Sequence, residues 1–239
     1  MRVCVAGLVV VLGAGMASSA SSADAQEVRA LDAEAYLMDR REEVSLARSA
    51  GPDAVSEDAT ILVLTSAGEY EVASRGSNEW VCFVGRGWTG PAPIRDGRRV
   101  LSDGNFDADR RGPQCFNGLA VQSVLEWHRL TTRLFLTGHT AEQVEDRVAE
   151  ALDSGDLSIP KSGAMSYMLS ARQQLNPRVG RWNPHYMFYT PYADGSALYG
   201  TRGITTDLPF VTDGGGPWAI TTVVAPAFSD GTPAPFLSR

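Results

Sequence analysis

Two cysteines 33 residues apart, Cys82 and Cys115, constrain this chain more than any other feature. Whether they pair depends on the compartment, and the first residues speak to that. Arg2 supplies a positive start, Val5 to Met16 is an apolar run broken only by Gly and Ala, and Ala23-Asp24-Ala25 places small residues where a signal peptidase inspects them. Residues 1–25 therefore read as a secretory signal. The run is shorter than the roughly 20 residues a membrane span needs, so no span is expected in the mature chain. Cys4 precedes the apolar run, which excludes lipidation there, and it leaves with the signal. Two cysteines remaining in an exported chain are expected to form one disulfide. By chain entropy, closing such a loop stabilises the fold by about 3 to 4 kcal/mol.

Residues 26–58 form an N-terminal helical segment. Gln26 to Ala50 lacks Gly and Pro, sets Val28, Leu31, Ala35 and Met38 at helical spacing, and ends at Gly51-Pro52. Residues 59–230 read as one α+β domain, followed by a Pro-rich tail at 231–239. Within the domain the period first changes to that of strands. ILVLT at 61–65, EYEVAS at 69–74 and EWVCFVG at 79–85 are β-rich runs separated by turn residues, which predicts an antiparallel three-stranded meander with Trp80, Cys82 and Val84 on one face. Arg86 to Pro113, rich in Gly, Asp, Arg and Pro, reads as a long loop. Asn117 is placed to cap a helix running to about Phe135, Thr140 and Gln143 to form a capping box on a second, and Pro160 to Leu175 reads as a third. Asp213-Gly-Gly-Gly-Pro-Trp reads as a hairpin connection into a last strand, Ala219 to Ala225, paired antiparallel with 185–190.

The net charge of -7, without a basic cluster, argues against nucleic acid as a partner. Neither zinc nor calcium finds a ligand pattern: His128, His139 and His185 are scattered, and Asp103, Asp107 and Asp109 lack the closing Glu of a calcium loop. No cofactor or metal is expected.

The richest aromatic stretch is Arg181 to Tyr192, RWNPHYMFYTPY. Pro184 and Pro191 bound a strand with His185, Met187 and Tyr189 on one side and Tyr186, Phe188 and Thr190 on the other, both faces covered. Trp182, His185, Tyr186, Tyr189, Tyr192 and Trp218 are the candidate ligand-binding residues, with His185 at the strand entrance titrating near neutrality. The leading expectation is a periplasmic or secreted, non-enzymatic protein that binds a small molecule or an envelope component.

The alternative is a cysteine hydrolase, with Cys115 as thiolate at a helix N-terminus and His185 as its base. Cys-Phe-Asn-Gly-Leu followed by Pro-His-Tyr-Met-Phe-Tyr resembles the papain-like cell-wall endopeptidases, and the resemblance implies action on peptide or amide bonds. Cys82, Cys115, the Ser166 to Ser170 segment and Pro184 to Tyr189 together resemble a group of exported bacterial proteins of unassigned function. That second resemblance covers roughly residues 59–230 and implies a single exported domain.

Overall fold

The computed structural model describes residues 32–87, 94–95, 98–99, 106–175, 180–196 and 208–235. The expected signal at 1–25, the first residues of the expected helix, Asp103 and the last residues of the tail lie outside these.

The fold is α+β, built on an eight-stranded mixed sheet in the order β2-β1-β3-β6-β7-β8-β10-β9. Its strands are β1 (Thr60–Leu64), β2 (Tyr70–Ser74), β3 (Val81–Gly87), β6 (Asp107–Phe116), β7 (Met165–Met168), β8 (His185–Tyr189), β9 (Phe210–Thr212) and β10 (Ile220–Val224). A separate ribbon pairs β4 (Ile94–Arg95) with β5 (Arg98–Arg99). On one face lies α1 (Arg40–Arg48), followed in the chain by the single turn α2 (Asp53–Ser56). On the other a continuous helix runs from α3 (Gly118–Ala120) through a π segment (Val121–Leu125) into α4 (Glu126–Leu136), with α5 (Ala141–Ser154) beside it.

The N-terminal segment is part of the core. A 3-10 turn at Ala33–Tyr36 is followed by extended residues, and α1 begins only at Arg40, where the Asp39 carboxylate accepts from the amides of Arg41 and Glu42. Leu46, Ala47 and Ala50 then bury against Ile61, Cys82, Val84 and Cys115. Glu43 also points inward. Its Oε1 lies 2.6 Å from Arg86 Nη2, with both side chains buried, and accepts from the Leu64 amide. Arg86 Nε donates to the Tyr36 carbonyl at 2.7 Å, so one ionic cluster joins the N-terminal segment, β1 and β3.

Besides the helix expected from Gln26, which starts only at Arg40, three expected elements differ. β1 and β2 form the antiparallel hairpin, but β3 does not continue a meander; it crosses to the far side of β1 and pairs with it in parallel at Thr60↔Val81 and Ile61↔Cys82. Gly76 permits the crossing, because a Cβ there would overlap the Asp58 carbonyl and the backbone of Ala59 and Thr60.

The last part of the expected loop at 86–113, from Asp107 on, is strand. β6 pairs with β3 from Val81↔Phe116 to Arg86↔Arg111 despite its Arg, Gly and Pro content. The 4.0 Å Cα separation of the paired Cys82 and Cys115 marks a non-hydrogen-bonded position. Pro113, two residues away, shares that phase, so its missing N–H leaves no gap in the ladder with β3.

The third expected helix, at 160–175, is instead a turn, β7 and further turns. Lys161 closes a turn onto Ala164, Gly163 has φ +93°, and β7 fills the space between β6 and β8.

The disulfide is formed as expected, joining β3 to β6 beneath α1. Asn117 caps α3 through the Ala120 amide, Thr140 and Gln143 make the full capping box on α5, and β10 pairs antiparallel with β8 from Ile220↔Tyr189 to Val224↔His185. β9 and β10 are joined through the Asp213 turn as a hairpin.

Candidate functional site

Strand alternation divides the aromatic stretch between two faces of the sheet. The cross-strand register puts Gln114 and Phe116 of β6, Ser166 of β7, Met187 and Tyr189 of β8 and Ile220 of β10 on the face beneath α4. Cys115, Tyr167, Tyr186 and Phe188 lie on the opposite face. That face is covered by α1 only over β1, β3 and β6, and Phe188 is 39% exposed. The expectation that both faces of β8 are covered therefore fails for Phe188.

A narrow cleft opens between α4 and the β8–β10 pair. Its floor is Met187, Tyr189 and Ile220, its helix wall Val124 and Trp127, and Trp218 stands across the mouth with its ring 6.0 Å from that of Trp127. Gln114 and His128 supply the polar end. The cavity is small, about 30 Å3, room for a water molecule or two.

Several local causes build this cleft. The π segment loosens the helix immediately before Trp127 and His128, an irregularity common beside functional sites. The His128 ring is buried and held edge-on to Phe83 and Trp127, with centroids 5.3 and 4.8 Å away. Gln114 Nε2 lies 3.5 Å from His128 Nε2 and, as an amide nitrogen, can only donate there. Gly85 keeps this end open, since a Cβ would approach Gln114 Nε2 to 3.2 Å and His128 Cε1 to 3.9 Å. At the floor, the Tyr189 hydroxyl lies 3.2 Å from the Ser166 hydroxyl in a buried pair.

Of the six candidate ligand-binding residues, the structure brings only Tyr189 and Trp218 to this cleft. Trp182 and His185 form a separate packed group with Phe210, their rings 4.8 Å apart. Tyr186 is on the other face against Tyr167, and Tyr192 lies in a turn with φ 64° and 61% exposure. His185 is not a solvent-facing group. Burial lowers its pKa to about 4, and neutral Nδ1–H donates to the Asn183 carbonyl at 2.8 Å.

Reading the sequence missed Gln114, Trp127 and His128 as site residues. The available signal was the helical spacing of Val124, Trp127 and His128, three and four residues apart, which puts them on one side of a helix facing the sheet.

Cys115 is not at a helix N-terminus. It sits within β6, fully buried, its sulfur bonded to that of Cys82 and covered by Gly51, whose position would bring a Cβ within 3.2 Å of Cys115 Sγ. His185 projects from the opposite face of the sheet, because the strand position that continues the Cys115 row is Tyr186. The arrangement offers no thiolate, and no imidazole on its side of the sheet. Among the described residues no helix is long and apolar enough to cross a membrane, and no three metal-ligating side chains come together. No family model, curated protein or solved structure matches this chain.

Proposed function

We propose that this is an exported protein, periplasmic or secreted, that works by binding and not by catalysis, and that the cleft between Trp127 and Trp218 is where it grips its partner. The paired rings at the mouth of an otherwise apolar slot carry the proposal. Two indoles offer large contact area at little cost in side-chain entropy, and Gln114 and His128 make one end of the slot polar. Ligand pockets for whole small molecules run to about 300 Å3 or more, so this slot takes at most one projecting apolar or aromatic group of a larger envelope component, and only as the Trp127 and Trp218 rings part to admit it. The secretory-type N-terminus and the disulfide support export.

The test is titration of the processed protein with indole and phenol as probes, followed through the tryptophan indole N–H signals in two-dimensional NMR. Both the Trp127 and Trp218 signals should move together, and Trp218→Leu should abolish the effect without lowering Tm by more than a few degrees. Absence of any shift with either probe overturns the cleft as a binding site. Titration of the unreduced, processed protein with a thiol reagent should find no reactive sulfur, and a stoichiometric thiol at Cys115 would return the hydrolase reading.

A further inference from the structure

The outer flank of α4, turned away from the tryptophan cleft, borders a second and larger concavity. It lies between the β1–β2 turn, which contributes Glu69, and the end of α5, which contributes Asp156 and Leu157. Its volume is about 410 Å3, within the range of small-molecule sites. Leu130 and Leu157 give it apolar floor, and charges of both signs stand around the rim. Glu126, Leu130 and Arg133 recur at helical spacing, so one side of α4 presents a carboxylate, an apolar contact and a guanidinium in a row.

The charges are only partly used by the protein itself. Arg129 is committed, with Nη1 donating to the Tyr70 carbonyl at 2.9 Å and Nε 3.3 Å from Glu126. Arg133 spends only Nη1, on Glu69 at 3.1 Å, and its Nε and Nη2 have no partner among the described residues. Those two nitrogens are the side edge of the guanidinium fork, which suits a carboxylate held by two parallel hydrogen bonds. Asp156 is the complement. Its carboxylate accepts from the Ser154 hydroxyl at 2.9 Å and has no cationic partner among the described residues.

We infer that this groove binds a small zwitterion, a free amino acid or the equivalent terminal groups of a short peptide, with its carboxylate on Arg133, its ammonium toward Asp156 and an apolar side chain over Leu130 and Leu157. Three carboxylates against two guanidiniums leave the empty groove net negative, so a lone anion is disfavoured and a ligand must bring a positive charge with it. The inference is independent of the tryptophan cleft, whose lining it does not share.

The probes are L-leucine, L-leucinamide, which lacks the carboxylate, and N-acetyl-L-leucine, which lacks the ammonium, each titrated into the full chain with amide shifts recorded. Leucine should move the signals of Glu69, residues 126–133 and 156–157 with a Kd in the micromolar to millimolar range, and each blocked analogue should bind at least tenfold more weakly. Arg133→Met should erase the discrimination against leucinamide and leave that against N-acetyl-leucine, and Asp156→Asn should do the reverse. Both side chains are on the surface, so the variants should melt close to wild type. Binding of the three probes with equal affinity, binding of leucinamide alone, or no shift at these residues in the millimolar range overturns the assignment.

Discussion

The two ends of the central sheet are held by different physics. At one end, β1, β3 and residues 112–116 of β6 are covered on both faces, stapled by Cys82–Cys115 and tied to α1 by the buried Glu43–Arg86 pair, while the edge strand β2 leaves Glu71 and Val72 exposed. At the other, β7, β8, β10 and β9 form an antiparallel series held by backbone ladders, ring contacts and a few hydroxyl pairs such as Thr190–Thr221 at 2.8 Å. The outward face of that second half leaves Phe188 open. The tryptophan cleft lies where the two ends meet, taking Gln114 from the stapled half and Met187, Tyr189 and Ile220 from the open one. If the open half yields more readily than the stapled one, the slot proposed for binding can widen around an entering group without loss of the frame.

The largest expected effect comes from breaking the ionic tie of the stapled half. Glu43→Gln leaves Arg86 charged and fully buried, and should destabilise the protein by about 3 to 5 kcal/mol in chemical denaturation. The double variant Glu43→Leu with Arg86→Met removes both charges and should recover most of that loss. If the single variant costs less than about 1 kcal/mol, the pair is no anchor and the contrast between the halves weakens.

Next in size is the disulfide. Cys82→Ala with Cys115→Ala should lower stability by about 3 to 4 kcal/mol, mostly through the unfolded chain. Hydrogen exchange should show the lost protection spread over the whole cooperative unit, with the folded-state spectrum little changed away from α1. A loss confined to β3 and β6 would instead indicate that the bridge acts locally.

Local chemistry made much of this fold readable. Asn117 and the Thr140–Gln143 box announce helix starts through side chains that satisfy backbone donors a few residues away, and the alternation of 185–189 with 220–224 announces two strands. The misreadings share a cause, because each element is decided by a partner distant in sequence. DADRRGPQCF becomes strand only because β3 lies opposite in the right phase. Met165, Met168, Leu169 and Arg172 fit a helical period, yet the gap between β6 and β8 claims the first two for a ladder. The site was half visible for the same reason. Tyr189 and Trp218 stood out as aromatics, but which aromatics converge depends on the pleat, which sends Tyr186 away, and on α4, which delivers Trp127 and His128 from some 60 residues earlier in the chain.

The smallest predicted effect tests the open half on its own. An unfolded histidine titrates near 6.5, whereas burial beside Trp182 holds His185 neutral down to about pH 4. Between those values the unfolded chain takes up a proton that the folded chain refuses. The stability contributed by the neutral ring is therefore complete above about pH 6.5 and is lost progressively as the pH falls toward 4. Between about pH 8 and pH 5.5 this group alone should cost the wild type about 1.4 kcal/mol, a decline that His185→Gln should remove from the difference between the two pH profiles. Since β8 and β10 carry the ring and its Val224 neighbour, their amides should lose protection in mild acid before those of β3 and β6, which the disulfide joins. Parallel profiles for wild type and variant would mean that His185 reaches solvent, and the open half would then be looser still than its ladders indicate.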